Sequence, residues 1–403
     1  MRVLLIGSGG REHALAWRLR QSPRLDELHA APGNPGIAAL GTCHPVREED
    51  GEGLLDLARS LDADLVVVGP EAPLVAGVAD ELRHAGVAVL GPSREAARVE
   101  GSKSFAKALM RAAGVPTAAT LAVARPPCVV KVDGLAAGKG VFVCHDQEAL
   151  DRALRSVGNQ PLVIEELLEG DEVSLLVLTD GRNAVPLAPA RDYKRVGDGD
   201  TGPNTGGMGS YAPVEELSAS AVDELIETVH RPVLAELAAR GKPFVGVLYA
   251  GLMLTDAGPK VLEFNCRFGD PETQSILPLL EGDLLEALAA AASRDLGDAP
   301  LDVRDGAAVT VVLASRDYPE RGEAGTPIDG IDAAEGDALV FHAGTAVRGG
   351  SVVTNGGRVL GVTGVGPTVE AARDSAYAAC SSISFDGMKY RRDIAERTAH
   401  VAS

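Results

Sequence analysis

The first hundred residues alternate short β-type apolar runs with stretches whose apolar residues recur at helical spacing, which restricts this region to a series of βαβ units. The runs "RVLLIG", "ELHAAP", "DLVVVGP" and "VAVLGP" are the expected strands, and "REHALAWRLRQS", "EGLLDLARSL" and "PLVAGVADELRHAG" the expected helices. Together they predict an open parallel sheet near the Rossmann type from Met1 to about Gly101.

A chain of 403 residues exceeds the size at which one core usually stops growing, so two to four domains of about 100 to 150 residues are expected. After a helical segment around "SREAARVEGSKSFAKALMRAAG" the pattern becomes β-rich. "CVVKVDG" and "GVFVCHD" flank a glycine-rich turn, and "PLVIEELL", "DEVSLLVLTDG" and "NAVPLAP" continue as strands, predicting a small antiparallel unit inserted over about 117–188. The connector before "PLVIEELL" reads as short. "SAVDELIETVHRPVLAELAARG" predicts one long amphipathic helix, and "PFVGVLYAGLMLTDAGPKVLEFNCRF" a buried hairpin. From about Asp305 a further β-rich segment predicts a separate small domain.

The formal charge of −19 argues against broad nucleic-acid or anionic-membrane binding, which need a basic surface, and leaves room for a local cationic phosphate pocket. No run approaches the roughly eighteen apolar residues of a membrane span, and the expected location is the cytoplasm. Five scattered cysteines without a CxxC pair read as free thiols, and the histidines form no zinc-hydrolase motif.

Four segments carry chemistry. "GSGGREH" opens a helix after a strand, where backbone N–H groups and the helix dipole favour an anion; a tight turn reads equally well. Glu12 stands in the third glycine's place of a dinucleotide fingerprint, which disfavours a dehydrogenase. In "VVKVDGLAAGKGV", Lys131 lies among valines and needs a neutralising anion, a role that a triphosphate would fill. Lys139 lies in a loop whose glycines can close over phosphates. "VIEELLEGDEVS" presents Glu165, Glu166 and Glu172 at strand ends, suited either to an adenine edge and ribose hydroxyls or to a solvated acidic turn. In "VLEFNCRFGDPET", period two sets Glu263, Asn265 and Arg267 on one face and Leu262, Phe264, Cys266 and Phe268 on the other. The first two offer hard oxygen ligands for Mg²⁺, and the guanidinium beside them can hold a carboxylate or phosphate.

The stretch "RDYKRVGDGDTGPNTGGMGSY", from Arg191 to Tyr211, fits neither helix nor strand and by itself reads as a functional loop or a disordered linker; its place between the acidic segment at Glu165 and the strand of Glu263 and Asn265 points to a substrate loop that orders on ligand binding.

In this order, these segments resemble the ATP-grasp superfamily. More narrowly, "GSGGREHALAW", "APGNPG", "VGPEAPLVAGV", "VEGSKSFAK", "DGLAAGKGV", "KRVGDGDTGPNTGGMGSY", "YAGLM", "EFNCRFGDPETQ", "FHAGT" and "VTNGGRVLGVT" are similar to the phosphoribosylamine-glycine ligase family, from Arg2 to about Asp393. The resemblance implies a mixed α/β and α+β multidomain fold. It would comprise a Rossmann-like substrate-binding domain (1–101), an ATP-grasp domain with a small lid (102–296) and a β-rich C-terminal domain (297–403). It implies a monomer that ligates glycine to 5-phosphoribosylamine with ATP and one or two Mg²⁺ or Mn²⁺ ions, the second step of de novo purine biosynthesis.

By the same resemblance, Lys103, Lys131, Gly134, Gly138, Lys139 and Gly140 would hold phosphates. Glu165, Glu166 and Leu168 would frame adenine, Glu172 the ribose, and Glu263 and Asn265 the metal. Arg267, Lys139 and Asp192 are the catalytic candidates. Substrate would meet Gly9, Gly10, Arg11, Glu12, Asn34, Pro35, Gly36, Glu71, Asp192, Lys194, Arg195, Asn204, Thr205, Gly206, Arg267 and Asp270. Two departures stand out: only "AVARPPC" precedes the lysine strand where relatives carry a helix, and "VGVLYAGLML" lacks a second metal carboxylate. The alternatives are another ATP-grasp carboxylate-amine ligase or a non-catalytic nucleotide sensor.

Overall fold

The computed structural model describes residues 1–136, 139–297 and 301–396. The N-terminal region is a five-stranded parallel sheet in the order Thr42–Cys43, Glu27–Pro32, Arg2–Gly7, Leu65–Val68, Val89–Leu90. Its central runs are buried continuously, Val3 to Ile6 and Leu65 to Val68, because helices cover both faces of such a sheet. The segment expected as one helix over "PLVAGVADELRHAG" divides at Gly77, whose φ of +99° suits glycine alone. "SREAARVEGSKSFAKALMRAAG" likewise divides into Arg94–Gly101 and Lys103–Ala113. The extended Ser102 between them caps the second helix by accepting from Phe105 N at 3.2 Å.

The lid is a three-stranded antiparallel sheet, Val141–Cys144, Cys128–Val132 and Leu162–Glu166. It is smaller than the expected 117–188. Asp171–Thr179 and Ala184–Pro186 pair instead in a four-stranded antiparallel sheet with Gly246–Thr255 and Gly258–Asn265. Burial explains the difference: Val173 to Thr179 are inaccessible throughout, which demands a central place between two covered faces. The connector before "PLVIEELL" is not bare either. Helix Gln147–Val157 occupies it, capped by Asp146, with Leu150 and Ala153 packed on Cys128, Val130 and Cys144.

The expected long helix runs as Ala219–Leu225 and Arg231–Ala239, joined by a π-helical turn at Ile226–His230, just before the N–H that Pro232 lacks. The C-terminal region is β-rich but not separate. Its five-stranded sheet, in the order Arg191–Asp192, Gly209–Ala212, Ala307–Ala314, Arg358–Gly366, Leu339–His342, takes its first two strands from the ends of the stretch expected as an irregular loop. Inside that stretch, Arg195–Gly197 and Thr201–Asn204 form a hairpin. Backbone pairing satisfies these polar segments, which carry no apolar period from which it could be read. Among the described residues no helix is long and apolar enough to cross a membrane.

Candidate active site

Helix Lys103–Ala113, the lid and strand Gly258–Asn265 enclose a cleft of about 310 Å³, and Arg11 and Glu71 reach it from the N-terminal sheet. Its floor is cationic. Lys103 Nζ donates to Gly134 O at 3.0 Å, and Asp133 Oδ1 accepts from Ser102 Oγ (3.1 Å) and Ser104 N (3.2 Å), so the glycine-rich turn is docked on the start of the helix. Gly140 lines the same cleft. Gly138 lies outside the described residues, and the exposed Lys139 faces a second cavity beside Arg152 and Pro319 rather than this one.

Lys131 sits on a buried strand, as expected, but the anion that neutralises it belongs to the protein. Glu165 Oε2 lies 2.7 Å from Lys131 Nζ, and Glu165 Oε1 lies 3.0 Å from Lys107 Nζ. The Glu165 carboxylate therefore joins two lysines where the cleft meets the adjoining cavity, and it lines both. Lys107 was not among the expected residues, although its i,i+4 spacing from Lys103 in "KSFAK" puts both on one helix face. Glu166 accepts from Ala119 N (2.9 Å) and Lys260 Nζ (3.0 Å). With Leu168 it borders an adjoining cavity of about 1420 Å³ whose apolar wall includes Val129, Val143 and Met253. Glu172 lines this larger cavity and pairs with Lys194, and burial pushes its carboxyl up.

Glu263 and Asn265 line the cleft, and among the described residues their side chains make no hydrogen bond or ion pair. Burial pushes the Glu263 carboxyl up, but Lys194, Lys131 and Lys103 together outweigh it and hold the group ionised. Two open oxygen donors, one anionic, fit a hard divalent cation.

Arg267 is gripped from both sides. Its Nε donates to Glu71 Oε2 at 3.2 Å and its Nη2 to Glu100 Oε1 at 3.0 Å. Burial pushes the Glu71 carboxyl up, yet Arg267 and Arg11 outweigh it and bring it to about 2. Glu100, also unexpected, accepts from Cys266 N at 2.8 Å, and burial raises its carboxyl. Cys266 is fully buried, in accord with its assignment to the core face.

The turn at "GSGGREH" is self-satisfied. Glu12 accepts from Gly9 N and from Arg11 Nε, both at 2.6 Å, while Arg11 Nη1 donates to Phe268 O at 3.1 Å. A Cβ at Gly10 would stand 2.7 Å from Gln274 Nε2. Asn34 donates to Ser8 O (2.9 Å) and to His342 O (2.8 Å), and Gly36 packs under His13. Of the N-terminal candidates, Arg11 and Glu71 line the cleft; Gly9, Gly10, Glu12, Asn34, Pro35 and Gly36 do not.

The opposite wall comes from the hairpin and the C-terminal sheet. Lys194 pairs with Asp192 at 3.0 Å, and Lys194 O accepts from Thr205 N (2.8 Å) and Thr205 Oγ1 (2.9 Å). Arg358 donates to Gly206 O at 2.6 Å and pairs with Asp270 Oδ2 at 3.0 Å. It was not expected, although it lies in the "GGRVLGV" segment. Arg195 and Asn204 stand away from the cleft, donating to Gly202 O (2.7 Å) and Val141 O (3.4 Å). Glu272 and Tyr249 complete the wall through Ser174, whose hydroxyl lies 3.2 Å from Glu272 Oε1 and 2.8 Å from Tyr249 OH. Neither was anticipated, because strand Gly246–Thr255 and helix Glu272–Ile276 bring them together only in the folded protein.

Three models of phosphoribosylglycinamide synthetase match in sequence: the N domain over residues 1–100, the ATP-grasp (A) domain over 101–273 and the C domain over 308–397. The chain belongs to this synthetase family. Similar relatives named phosphoribosylamine-glycine ligase include that of Streptomyces coelicolor, 51% identical over 99% of this chain and 100% of the relative. That of Rhizobium meliloti is 48% identical over 98% of each. Among solved structures, the phosphoribosylamine-glycine ligase of Thermotoga maritima is 38% identical, with a TM-score of 0.84 over 98% of this chain and 100% of that one. The biotin carboxylase domain of Hydrogenobacter thermophilus 2-oxoglutarate carboxylase, 17% identical at a TM-score of 0.71 over 96% of this chain and 91% of that one, shares the fold alone. The synthetase family's three parts account for the mixed parallel, antiparallel and β-rich architecture found here.

Proposed function

We infer that the chain is an ATP-dependent ligase that joins glycine to 5-phosphoribosylamine, giving glycinamide ribonucleotide, ADP and phosphate in purine biosynthesis. The full-length similarity to phosphoribosylamine-glycine ligases supports it. The observation that carries it chemically is the open Glu263 and Asn265 pair beside Lys103 and Lys131, next to an arginine held ready for an anion.

ATP would lie with its base against Val129, Val143, Leu168 and Met253 and its phosphates toward Lys103, Lys131 and Gly140. Glu263 and Asn265 would hold Mg²⁺ or Mn²⁺, which when bound neutralises phosphate charge. Phosphorylation of the glycine carboxylate gives an acyl phosphate, and the amine of phosphoribosylamine attacks its carbonyl carbon, expelling phosphate. Arg267 orients the glycine carboxylate, its side chain already fixed by Glu71 and Glu100. Arg11 stands on the N-terminal side as the cation for the phosphoribosyl phosphate. Asp192 and Lys194 face the reacting centre. Lys139 reaches the phosphates only after lid movement, which would also exclude the water that hydrolyses an acyl phosphate. The reading takes the protein to act as a cytoplasmic monomer.

Mixing the protein with Mg-ATP, freshly made phosphoribosylamine and a panel of amino acids tests this directly. ADP release must require glycine; release indifferent to glycine would turn the reading toward another carboxylate-amine ligase. A nucleotide sensor has no need of Lys131, Glu263 and Asn265 together, and all three line one cleft.

A further inference from the structure

The C-terminal segment Arg391 to Ala395 grips the tip of the hairpin whose root lines the cleft. Arg391 is 1% exposed although it sits near the end of the described chain. It makes a two-pronged pair with Asp393, Nε to Oδ1 at 2.7 Å and Nη2 to Oδ2 at 2.5 Å. Its Nη1 donates to Asp200 Oδ1 at 2.7 Å and to Arg195 O at 3.1 Å. Its guanidinium also lies 4.9 Å over the Tyr193 ring.

The grip is reciprocal. Gly199 N donates to Asp393 Oδ2 and Arg392 N to Asp198 Oδ1, both at 2.8 Å, and Ala395 N donates to Tyr193 OH at 2.9 Å. Asp200 adopts a φ of +54°, in the left-handed region that is uncommon for a non-glycine residue. On its other side the segment is tied to the C-terminal helix Val369–Ser382: Tyr377 OH donates to Arg391 O at 2.8 Å and Arg373 Nη2 to Arg392 O at 2.7 Å.

At the hairpin's root, Asp192, Lys194, Thr205 and Gly206 line the cleft. The hairpin's strands are half-buried to exposed, so its tip depends on these charge-assisted bonds in addition to its own backbone pairing and the Asn204 contact with Val141 O. We propose that Arg391 is a positioning residue: the C-terminal domain uses it to latch hairpin 195–204 through Asp200 and Asp393, and so sets the substrate side of the cleft. The catalytic part of this proposal rests on the ligase reading above.

Full-length Asp200→Asn and Arg391→Lys test it. Asp200 is largely exposed, so its variant should fold with an unchanged melting temperature, while lysine keeps the charge of Arg391 but cannot make the fork. Amide hydrogen exchange should accelerate within 195–204 and not elsewhere. The kcat/KM for glycine and phosphoribosylamine should fall on the order of 10- to 100-fold, as misplacement of substrate-positioning groups does, with the KM for ATP moving less. Unchanged exchange and kinetics in both variants overturn the proposal, and so does a loss in step with a general fall in melting temperature. If the wild-type protein releases no ADP with glycine, the ligase reading fails, and the exchange measurement alone then decides whether the latch exists.

Discussion

Lys131 and Glu165 stand 2.7 Å apart on paired antiparallel strands of the lid, two residues off direct register, with Glu165 reaching on to Lys107 at 3.0 Å. One buried carboxylate thus serves two buried ammonium groups before any nucleotide arrives. Removing it leaves both cations uncompensated, which typically costs about 3–5 kcal/mol. Glu165→Gln should therefore be strongly destabilised in denaturant unfolding. Lys131→Met should lose ATP affinity with a smaller stability loss, because Glu165 retains Lys107. A Glu165→Gln protein as stable as wild type would falsify this arrangement.

Arg267 is oriented by Glu71 at 3.2 Å and Glu100 at 3.0 Å. Hydrogen bonds to charged groups contribute about 1.5–3 kcal/mol, so Arg267→Ala should raise the glycine KM by roughly 10- to 100-fold. Arg267→Lys should rescue little, since an ammonium lacks the planar fork. A glycine KM that stays at the wild-type value in both variants removes Arg267 from the glycine site.

The metal assignment is checked by titration. Losing an outer-shell partner of a metal site costs about 10- to 100-fold in affinity, and losing a ligand should cost at least as much. Glu263→Gln should accordingly need at least about tenfold more Mg²⁺ for half-maximal ADP release. Coincident Mg²⁺ curves for variant and wild type would exclude Glu263 as a ligand.

Glu272 gives a pH signature. Burial, with Asp192 nearby, raises its carboxyl from 4.5 to about 7. Between those values the folded protein binds more protons than the unfolded chain, so this group's contribution is fully present below 4.5 and is lost as pH rises through 7. A shift of this size corresponds to on the order of 3 kcal/mol. Glu272→Gln, which resembles the protonated acid, should match wild type near the lower limit and be more stable above the upper one. Equal stability of the two proteins at high pH is the result that rules this out.

Much of the site was legible because it depends on local patterns. Alternation along "VLEFNCRF" separates Glu263, Asn265 and Arg267 from the core face, and the valines around Lys131 signal a cation that needs an anion. Glu100, Lys107, Tyr249, Glu272 and Arg358 were not legible. Each is an ordinary residue of a helix or strand, and its importance comes from a partner that is distant in sequence: Glu100 from Arg267, Lys107 from Glu165, Arg358 from Asp270.

By itself, the sequence determined the parallel N-terminal sheet, the buried hairpin that carries the metal candidates, the family to which the chain belongs and the reaction inferred from it. Those follow from hydrophobic period and from motifs contained within single segments. Only the tertiary structure decided that Glu165 neutralises Lys131, that the lid keeps a helix, that Asn34 and Glu12 secure the backbone instead of lining the cleft, and that the stretch from Arg191 to Tyr211 shares a sheet with the C-terminal strands. The physical reason is that polar segments carry no periodic signal. Their conformation is set by whichever distant backbone edge or buried charge satisfies them, and that partner exists only once the chain has folded.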